Sequence, residues 1–304
     1  MSRAGPSAAL ARPWPDGPAV EDRAILRTVA YAGLFQFPLT LSELERRLMD
    51  TPLDLGAIRE RLASPFLGQR IDVTDGFVHP KGREAWIELR RRRGARAEAL
   101  VRAHRAALAV LGRFPFVRLL ALSGGCAHGN ATDDDVDVFL VVKRGRAWGV
   151  FGALMVLTKL AGLRRTLCLN YVVDEDAQTL TEQDLFTASE IVGLKPLAGA
   201  AGYAGFRAAN GWARARFPNF GRDDATPAGL GQAGAWRWFE ALLEMGPAPL
   251  FEWLSRRALG AYLKAKARGS EGVVLEAGRL KLHLQDHRPE LLAAFEAAVK
   301  EAGL

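Results

Sequence analysis

The sequence predicts an α+β protein with a mixed β-sheet at its centre. Three helix-forming stretches and a tight strand turn open the chain. Short β-branched runs around one apolar helical stretch fill its middle, and helical periodicity prevails from residue 201 onward. At 304 residues the chain can bury a sizeable core, and 49% apolar with 25% charged residues exclude general disorder, collagen and coiled coil. The longest apolar run, Val150–Leu157, is far short of the ~20 residues of a membrane span, so no membrane partner is expected. Cys126 and Cys168 supply no disulfide framework, which favours a reducing, cytoplasmic setting.

Residues 1–20 carry Pro6, Pro13, Pro15 and Pro18 without a continuous hydrophobic stretch, and read as a disordered leader. Residues 21–82 form the first expected domain. Helices are predicted at Ala24–Gly33, at Leu41–Met49 behind a Thr40/Glu43 capping box, and at Leu55–Leu62. The runs Ile71–Thr74 and Phe77–His79 meet at Asp75–Gly76, a hairpin dipeptide. The set resembles a winged-helix domain. Its third helix offers Arg59 and Arg61 around Glu60, so packing or partner binding competes with DNA reading.

Residues 83–114 read as a basic linker helix, helical over Glu84–Leu111 with Gly94 as the only interruption and Pro115 at its end. Leu100, His104, Leu108 and Leu111 share one face. Between Lys81 and Arg118 eleven basic residues face three glutamates, a net charge of +8. Such clustering suits nucleic acid as a partner of residues 81–118; the competing reading is a solvated arginine-rich connecting helix, since no aromatic stacking pattern accompanies the charges.

Residues 115–200 carry the chemistry. Val117–Leu122, Val136–Val142 and Leu167–Val173 read as strands, with Trp148–Leu163 as a crossover helix. The first strand ends at Ser123–Gly124–Gly125, and the second opens with Asp135–Val136–Asp137. Side chains alternate along a strand, so Asp135 and Asp137 share a face and repel unless a cation neutralises them. Oxygen ligands of this kind suit Mg²⁺ or Mn²⁺, and paired glycines let backbone N–H groups approach a phosphate. The competing reading is an acidic loop closure by Asp133, Asp134 and Asp135, which leaves Asp137 unexplained.

Gly124–Gly125, nine intervening residues and then Asp135–Val136–Asp137–Val138 resemble the signature of the nucleotidyltransferase fold shared with DNA polymerase β. Cys126, Ala127, His128 and Gly129 complete a loop similar to that of small prokaryotic nucleotidyltransferase-domain proteins, with glycine where serine is usual. The resemblance covers residues 116–175. It implies a polymerase β-like domain in which Asp135 and Asp137 bind metal and Ser123, Gly124 and Gly125 hold NTP phosphates. It also implies a third carboxylate from a neighbouring strand. Here that strand presents Asn170, which can ligate a metal but cannot act as a base. The alternatives are deprotonation by substrate or water, a carboxylate reaching in from Asp174 or Glu190, or nucleotide binding without turnover.

Lys143, with Arg144 and Arg146, is a candidate for neutralising a triphosphate. Cys126 reads as a packing residue. Residues 201–304 are expected to be a helical C-terminal region, with helices at Tyr203–Arg216, Trp236–Glu244, Leu250–Lys266 and Pro289–Glu301 after one at Thr181–Leu194, and a short strand–turn–strand near Val273–Leu284. Trp236, Trp238 and Trp253 are expected in the core, and His283 and His287 lack a shared helical face for zinc. The expected function is Mg²⁺-dependent transfer of a nucleoside monophosphate from an NTP to a hydroxyl of an unknown acceptor. The alternative is a catalytically impaired nucleotide- or nucleic-acid-binding regulator.

Overall fold

A computed structural model describes residues 19–221, 236–268, 272–282 and 287–304. The expected leader, up to residue 18, lies outside the described residues, as do most of the Gly221–Gly234 break and His283. The chain begins with α1 (Val20–Leu34), β1 (Leu39–Thr40), α2 (Leu41–Arg46), α3 (Leu55–Leu62), α4 (Pro65–Gly68), β2 (Ile71–Thr74) and β3 (Phe77–Pro80). The three strands form an antiparallel sheet in the order β1-β3-β2, with the β2–β3 hairpin turning at Asp75–Gly76. The capping box forms: Thr40 Oγ1 accepts from the Glu43 N–H at 3.3 Å and Glu43 Oε2 accepts from the Thr40 N–H at 2.9 Å. The helix stops at Arg46, short of Met49, because the Met49 N–H turns to the Thr28 hydroxyl at 3.0 Å. Ile25, Leu44, Ile58, Leu67 and Val78 fill this part's core.

The arginine-rich segment forms two helices, α5 (Ala85–Ala103) and α6 (Arg105–Arg113), broken at His104 and not at Gly94. The His104 ring Nδ1 lies 2.8 Å from the Leu100 carbonyl oxygen, at the point where the first helix ends. Several of the arginines are engaged within the chain. Arg90 binds Glu43 at 2.8 Å and stacks over Phe37, Arg93 binds the Phe35 carbonyl, and Arg96 binds Asp134.

The central sheet has the order β7-β4-β5-β6-β9-β8. It comprises β4 (Val117–Leu122), β5 (Val136–Val142), β6 (Leu167–Asp174), β7 (Lys195–Ala198), β8 (Val273–Leu275) and β9 (Arg279–Leu282). β5 and β6 are parallel, joined through α8 (Ala147–Leu160), and the remaining pairs are antiparallel. Alternation along β4 and β5 supplies two cores. Leu120, Leu122, Val138 and Leu140 face α6 and α8. Leu119, Ala121, Phe139 and Val141 face α9 (Leu185–Gly193) and α10 (Ala200–Ala209).

Within residues 201–304 the strand–turn–strand expected near Val273–Leu284 forms as β8 and β9, which extend the central sheet beside β6. α9 starts at Leu185, later than Thr181, where Asp184 caps the Thr187 N–H at 2.7 Å. The stretch Tyr203–Arg216 divides at Asn210 into α10 and a 3-10 turn, Gly211–Ala215, because the buried Asn210 amide bonds Leu180 N–H and the Phe206 carbonyl. α11 (Arg237–Glu244), α12 (Pro247–Lys266) and α13 (Arg288–Glu301) follow. α13 lies on α1, with Phe295 edge-on to Tyr31 at 5.5 Å.

Trp236, Trp238 and Trp253 are exposed, at 46, 69 and 54%, contrary to the expected core placement. For Trp253, on α12, the reason is the close meeting of α8 and α12 at Gly152 and Ser255. A β-carbon at Gly152 would come within 3.0 Å of Ser255 and Leu259, and Leu259 and Leu263 face the core while Trp253 points outward. Among the described residues no helix is long and apolar enough to cross a membrane.

Candidate active site at the head of the central strands

β4 passes directly into the glycine turn. The Ser123 N–H donates to the Asp137 carbonyl at 3.0 Å, which continues the ladder and fixes the turn against β5. Gly124 then adopts φ +59, opening the five-residue α7 (Gly124–His128), and Gly129 closes it at φ +66. Both angles favour glycine, and at Gly124 space demands it as well. A β-carbon there would overlap the Asp137 carboxylate.

Asp137 is the second residue of β5. Its carboxylate accepts a hydrogen bond from the Asn170 amide on β6. The β5–β6 register shifts between Val138 and Phe139, pairing them with Leu169 and Tyr171 and leaving Asn170 as the extra residue. That irregularity aims the Asn170 side chain at Asp137. Asp135 stands just ahead of β5, where its carbonyl accepts from the Cys126 thiol at 3.4 Å and its N–H donates to Asp133 Oδ1 at 3.2 Å.

The electrostatics are those of crowded acids. Burial first, then Asp133, Asp135 and Glu190, push the Asp137 carboxyl up to about 7, against the opposing Asn170 bond. Burial first, then Asp137 and Asp135, raise the Cys126 and Cys168 thiols to about 11 and about 12, which makes both poor nucleophiles.

Glu190, on α9, approaches the turn from its other side, where the Gly124 N–H favours its charged form. Its Oε1 lies 3.0 Å from His128 Nε2, and an Arg47 N–H lies 2.9 Å from His128 Nδ1. A guanidinium has only donors, so Nδ1 carries the lone pair and the neutral imidazole donates through Nε2 to Glu190. Burial works against the charged carboxylate, but the His128 ring, Arg47 and the Gly124 N–H outweigh it and hold the Glu190 carboxyl below its usual range. The ring rests on Gly193, where any β-carbon would overlap it. Of the two reserve carboxylates named from sequence, Glu190 therefore reaches the turn. Asp174 does not: it sits at the far end of β6, holding the Gly145 N–H at 2.9 Å. Arg47 escaped the sequence reading because nothing local separates it from Arg46.

Beside the turn lies a cavity of about 400 Å³. Ser123, Gly124, Gly125, Asp137 and Glu190 contribute to its wall, with Tyr31, Phe139 and Phe206 among its aromatic lining.

Lys143 does not join this site. It follows the last residue of β5, and a strand of that length places it roughly 20 Å from Asp137. There Lys143 pairs with Glu244 at 3.2 Å, Arg146 with Glu244 at 2.6 Å and Arg144 with Asp176 at 2.9 Å. A strand carries its two ends apart, so proximity in sequence to the dyad misled the assignment.

Among the described residues no three His, Cys, Asp or Glu side chains converge as a metal-holding group. The oxygen donors on hand are the Asp135 and Asp137 carboxylates and the Asn170 amide. They fit a hard cation such as Mg²⁺, which takes one or two carboxylates and completes its shell with water and substrate phosphates. The raised Asp137 carboxyl marks negative potential that such an ion would relieve. Comparison of the chain with protein-family models, with curated proteins and with solved structures gives no match in any of the three.

Proposed function

We propose that the chain is a nucleotidyltransferase that moves a nucleoside monophosphate from an NTP to an acceptor hydroxyl and releases pyrophosphate. The observation that carries the reading is the glycine turn held under Asp137, with Asn170 and Glu190 converging on it. Asp135 and Asp137 would hold Mg²⁺ or Mn²⁺, which supplies charge neutralisation on the polyphosphate and draws electrons from the α-phosphorus. Gly124 leaves room for the Asp137 carboxylate and Gly125 for the Asn130–Ala131 backbone, and the N–H groups of Gly124 and Gly125 would hold the phosphates, with Ser123 lining the same cavity.

The acceptor oxygen bonds to the α-phosphorus, the bond from that phosphorus to the bridging oxygen breaks, and the electron pair leaves on pyrophosphate. Asn170 orients the Asp137 carboxylate but takes no proton. The acceptor proton passes to water or to the substrate's own phosphate, since the Glu190 carboxyl is held below its usual range and is engaged with His128. The cytoplasm is the compartment that suits two free thiols and a nucleoside triphosphate.

The amide at Asn170 favours one second reading, a regulator that binds nucleotide without turnover. Its basic residues 81–118 would then contact nucleic acid, a role tested by a salt-dependent gel shift. Release of labelled pyrophosphate from each NTP, with Mg²⁺ or Mn²⁺, separates the two. Turnover that disappears in Asp135→Asn supports the transferase, whereas nucleotide binding without turnover supports the regulator.

A further inference from the structure

From Trp236 to Arg268 the chain carries six cations and three glutamates. All three glutamates turn inward. Glu240 accepts from the Phe116 N–H at 2.5 Å and binds Arg118 at 2.8 Å. Glu244 binds Arg146 at 2.6 Å and Lys143 at 3.2 Å. Glu252 accepts from the Trp148 and Gly149 N–H groups, which open α8. The cations Arg237, Arg256, Arg257, Lys264, Lys266 and Arg268 are all exposed. The outward side of α11 and α12 is therefore cationic, with no carboxylate of its own.

The same side is apolar. In α11 the inward Glu240 and Glu244 leave Trp238, Leu242 and Met245 exposed on the opposite face, at i, i+4 and i+7. In α12 Ser255, Gly260 and Leu263 are buried, while Leu250, Phe251, Trp253, Leu254 and Tyr262 are exposed. Single apolar residues on a surface are ordinary, but rows of large ones on two consecutive helices mark an interaction site. Next to β8, Trp253, Arg256, Arg257 and Lys264 line a groove of about 490 Å³ with Trp148 and Leu275. Arg257 lies over the Trp253 ring at 5.2 Å. No acid is among the residues lining this groove, so its guanidinium and ammonium groups face a phosphate without competition.

A face both apolar and cationic narrows the choice of occupant. A second copy seated on it would bring these cations against their own kind, with no acid to answer them. Nucleic acid would answer the charge but leave Leu242, Met245, Leu250 and Leu254 against phosphates. A bilayer surface with anionic headgroups matches both: acyl chains meet the apolar rows, phosphates meet the arginines, and tryptophan suits the boundary. We propose that α11 and α12 dock the protein on an anionic lipid surface. The expectation of no membrane partner rested on the lack of a spanning run, which a surface contact does not need. Docking is independent of the transferase reading.

Vesicle flotation with the full chain tests the proposal. At low salt, phosphatidylcholine vesicles containing phosphatidylglycerol bind at least about tenfold more tightly than phosphatidylcholine alone, and added salt narrows the gap. Arg256→Gln, Arg257→Gln and Lys264→Gln together lower affinity for the anionic vesicles by about tenfold or more. Leu250→Gln with Leu254→Gln lowers it on a similar scale, as does Trp238→Ser on the other helix, so the test does not depend on one variant folding. Urea midpoints confirm which variants are folded. Absence of vesicle binding overturns the proposal. So does equal binding to the two vesicle types, or binding that the folded variants leave unchanged. A dimer or an oligonucleotide complex that these variants abolish, without vesicle binding, gives the face to that partner and overturns the proposal as well. Pyrophosphate release is measured alongside. If vesicles bind and no pyrophosphate is released, the transferase reading fails and the docking face stands; the reverse result removes the docking face alone.

Discussion

Gly124 lies so close beneath the Asp137 carboxylate that no β-carbon fits between them. The turn and the acid are thus one unit, since moving either displaces the other. Gly124→Ala and Asp137→Ala are expected to fail alike. Each weakens Mg²⁺-dependent NTP binding by at least about tenfold, through lost charge pairing in one case and displaced carboxylate in the other. Calorimetric titration with and without Mg²⁺ reads the effect, and nucleotide binding unchanged in Asp137→Ala would defeat the assignment of this acid.

Asp135→Asn keeps the shape of the side chain and removes its charge. Pyrophosphate release is expected to fall by about 100-fold or more, the scale seen when one stabilising group is removed from a polar transition state. The measurement is steady-state release of labelled pyrophosphate at saturating NTP. A loss below threefold would mean that Asp135 is not part of the machinery.

Gly193→Ala tests the support behind Glu190. The added methyl group overlaps the His128 ring, so the ring must leave its place between Arg47 and Glu190. Overpacking of this kind costs about 1–3 kcal/mol, and urea unfolding reads it directly. His128→Ala, which makes room, is expected to restore stability to the double variant, whereas independent effects would simply add.

The Glu182–Lys281 pair makes stability depend on acid. Burial alone would raise the Glu182 carboxyl, but the Lys281 bond and charge, with the Thr181 hydroxyl, bring it down from 4.5 to about 2. A depressed acid binds fewer protons in the native state than in the unfolded one. Its contribution is therefore full above about pH 4.5 and disappears as pH falls toward 2. Glu182 is partly exposed, so about 1–2 kcal/mol is expected, not the full value of the shift. Urea midpoints of wild type and Lys281→Gln should differ most at pH 6 and converge between pH 4.5 and 2.5; a gap independent of pH would contradict the pairing.

The parts of this protein that follow local rules were readable in advance. Alternation in Val136–Val142, the Asp75–Gly76 hairpin and the Thr40/Glu43 box are interactions among near neighbours, and each is present. The shared placement of Asp137 and Asn170 was open until the register shift at Val138/Phe139 turned Asn170 toward the acid. What residue spacing does not contain is the assignment of strand ends and partners. Lys143 looked adjacent to the dyad because only strand direction separates them. Arg47 entered the site through the packing of α2 beside α7, a contact between residues 81 positions apart. The helical segment expected over Glu84–Leu111, with Gly94 as its interruption, breaks instead at His104, where a ring nitrogen meets a carbonyl one turn back.

The wall beside the glycine turn draws Tyr31 and Ala32 from α1 and Lys281 and Arg288 from β9 and α13. A chain leaving the ribosome makes the first of these long before the last. Nascent protein therefore carries the whole glycine–aspartate turn while its neighbouring chamber still lacks a side, so ligand capture waits for synthesis to reach α13.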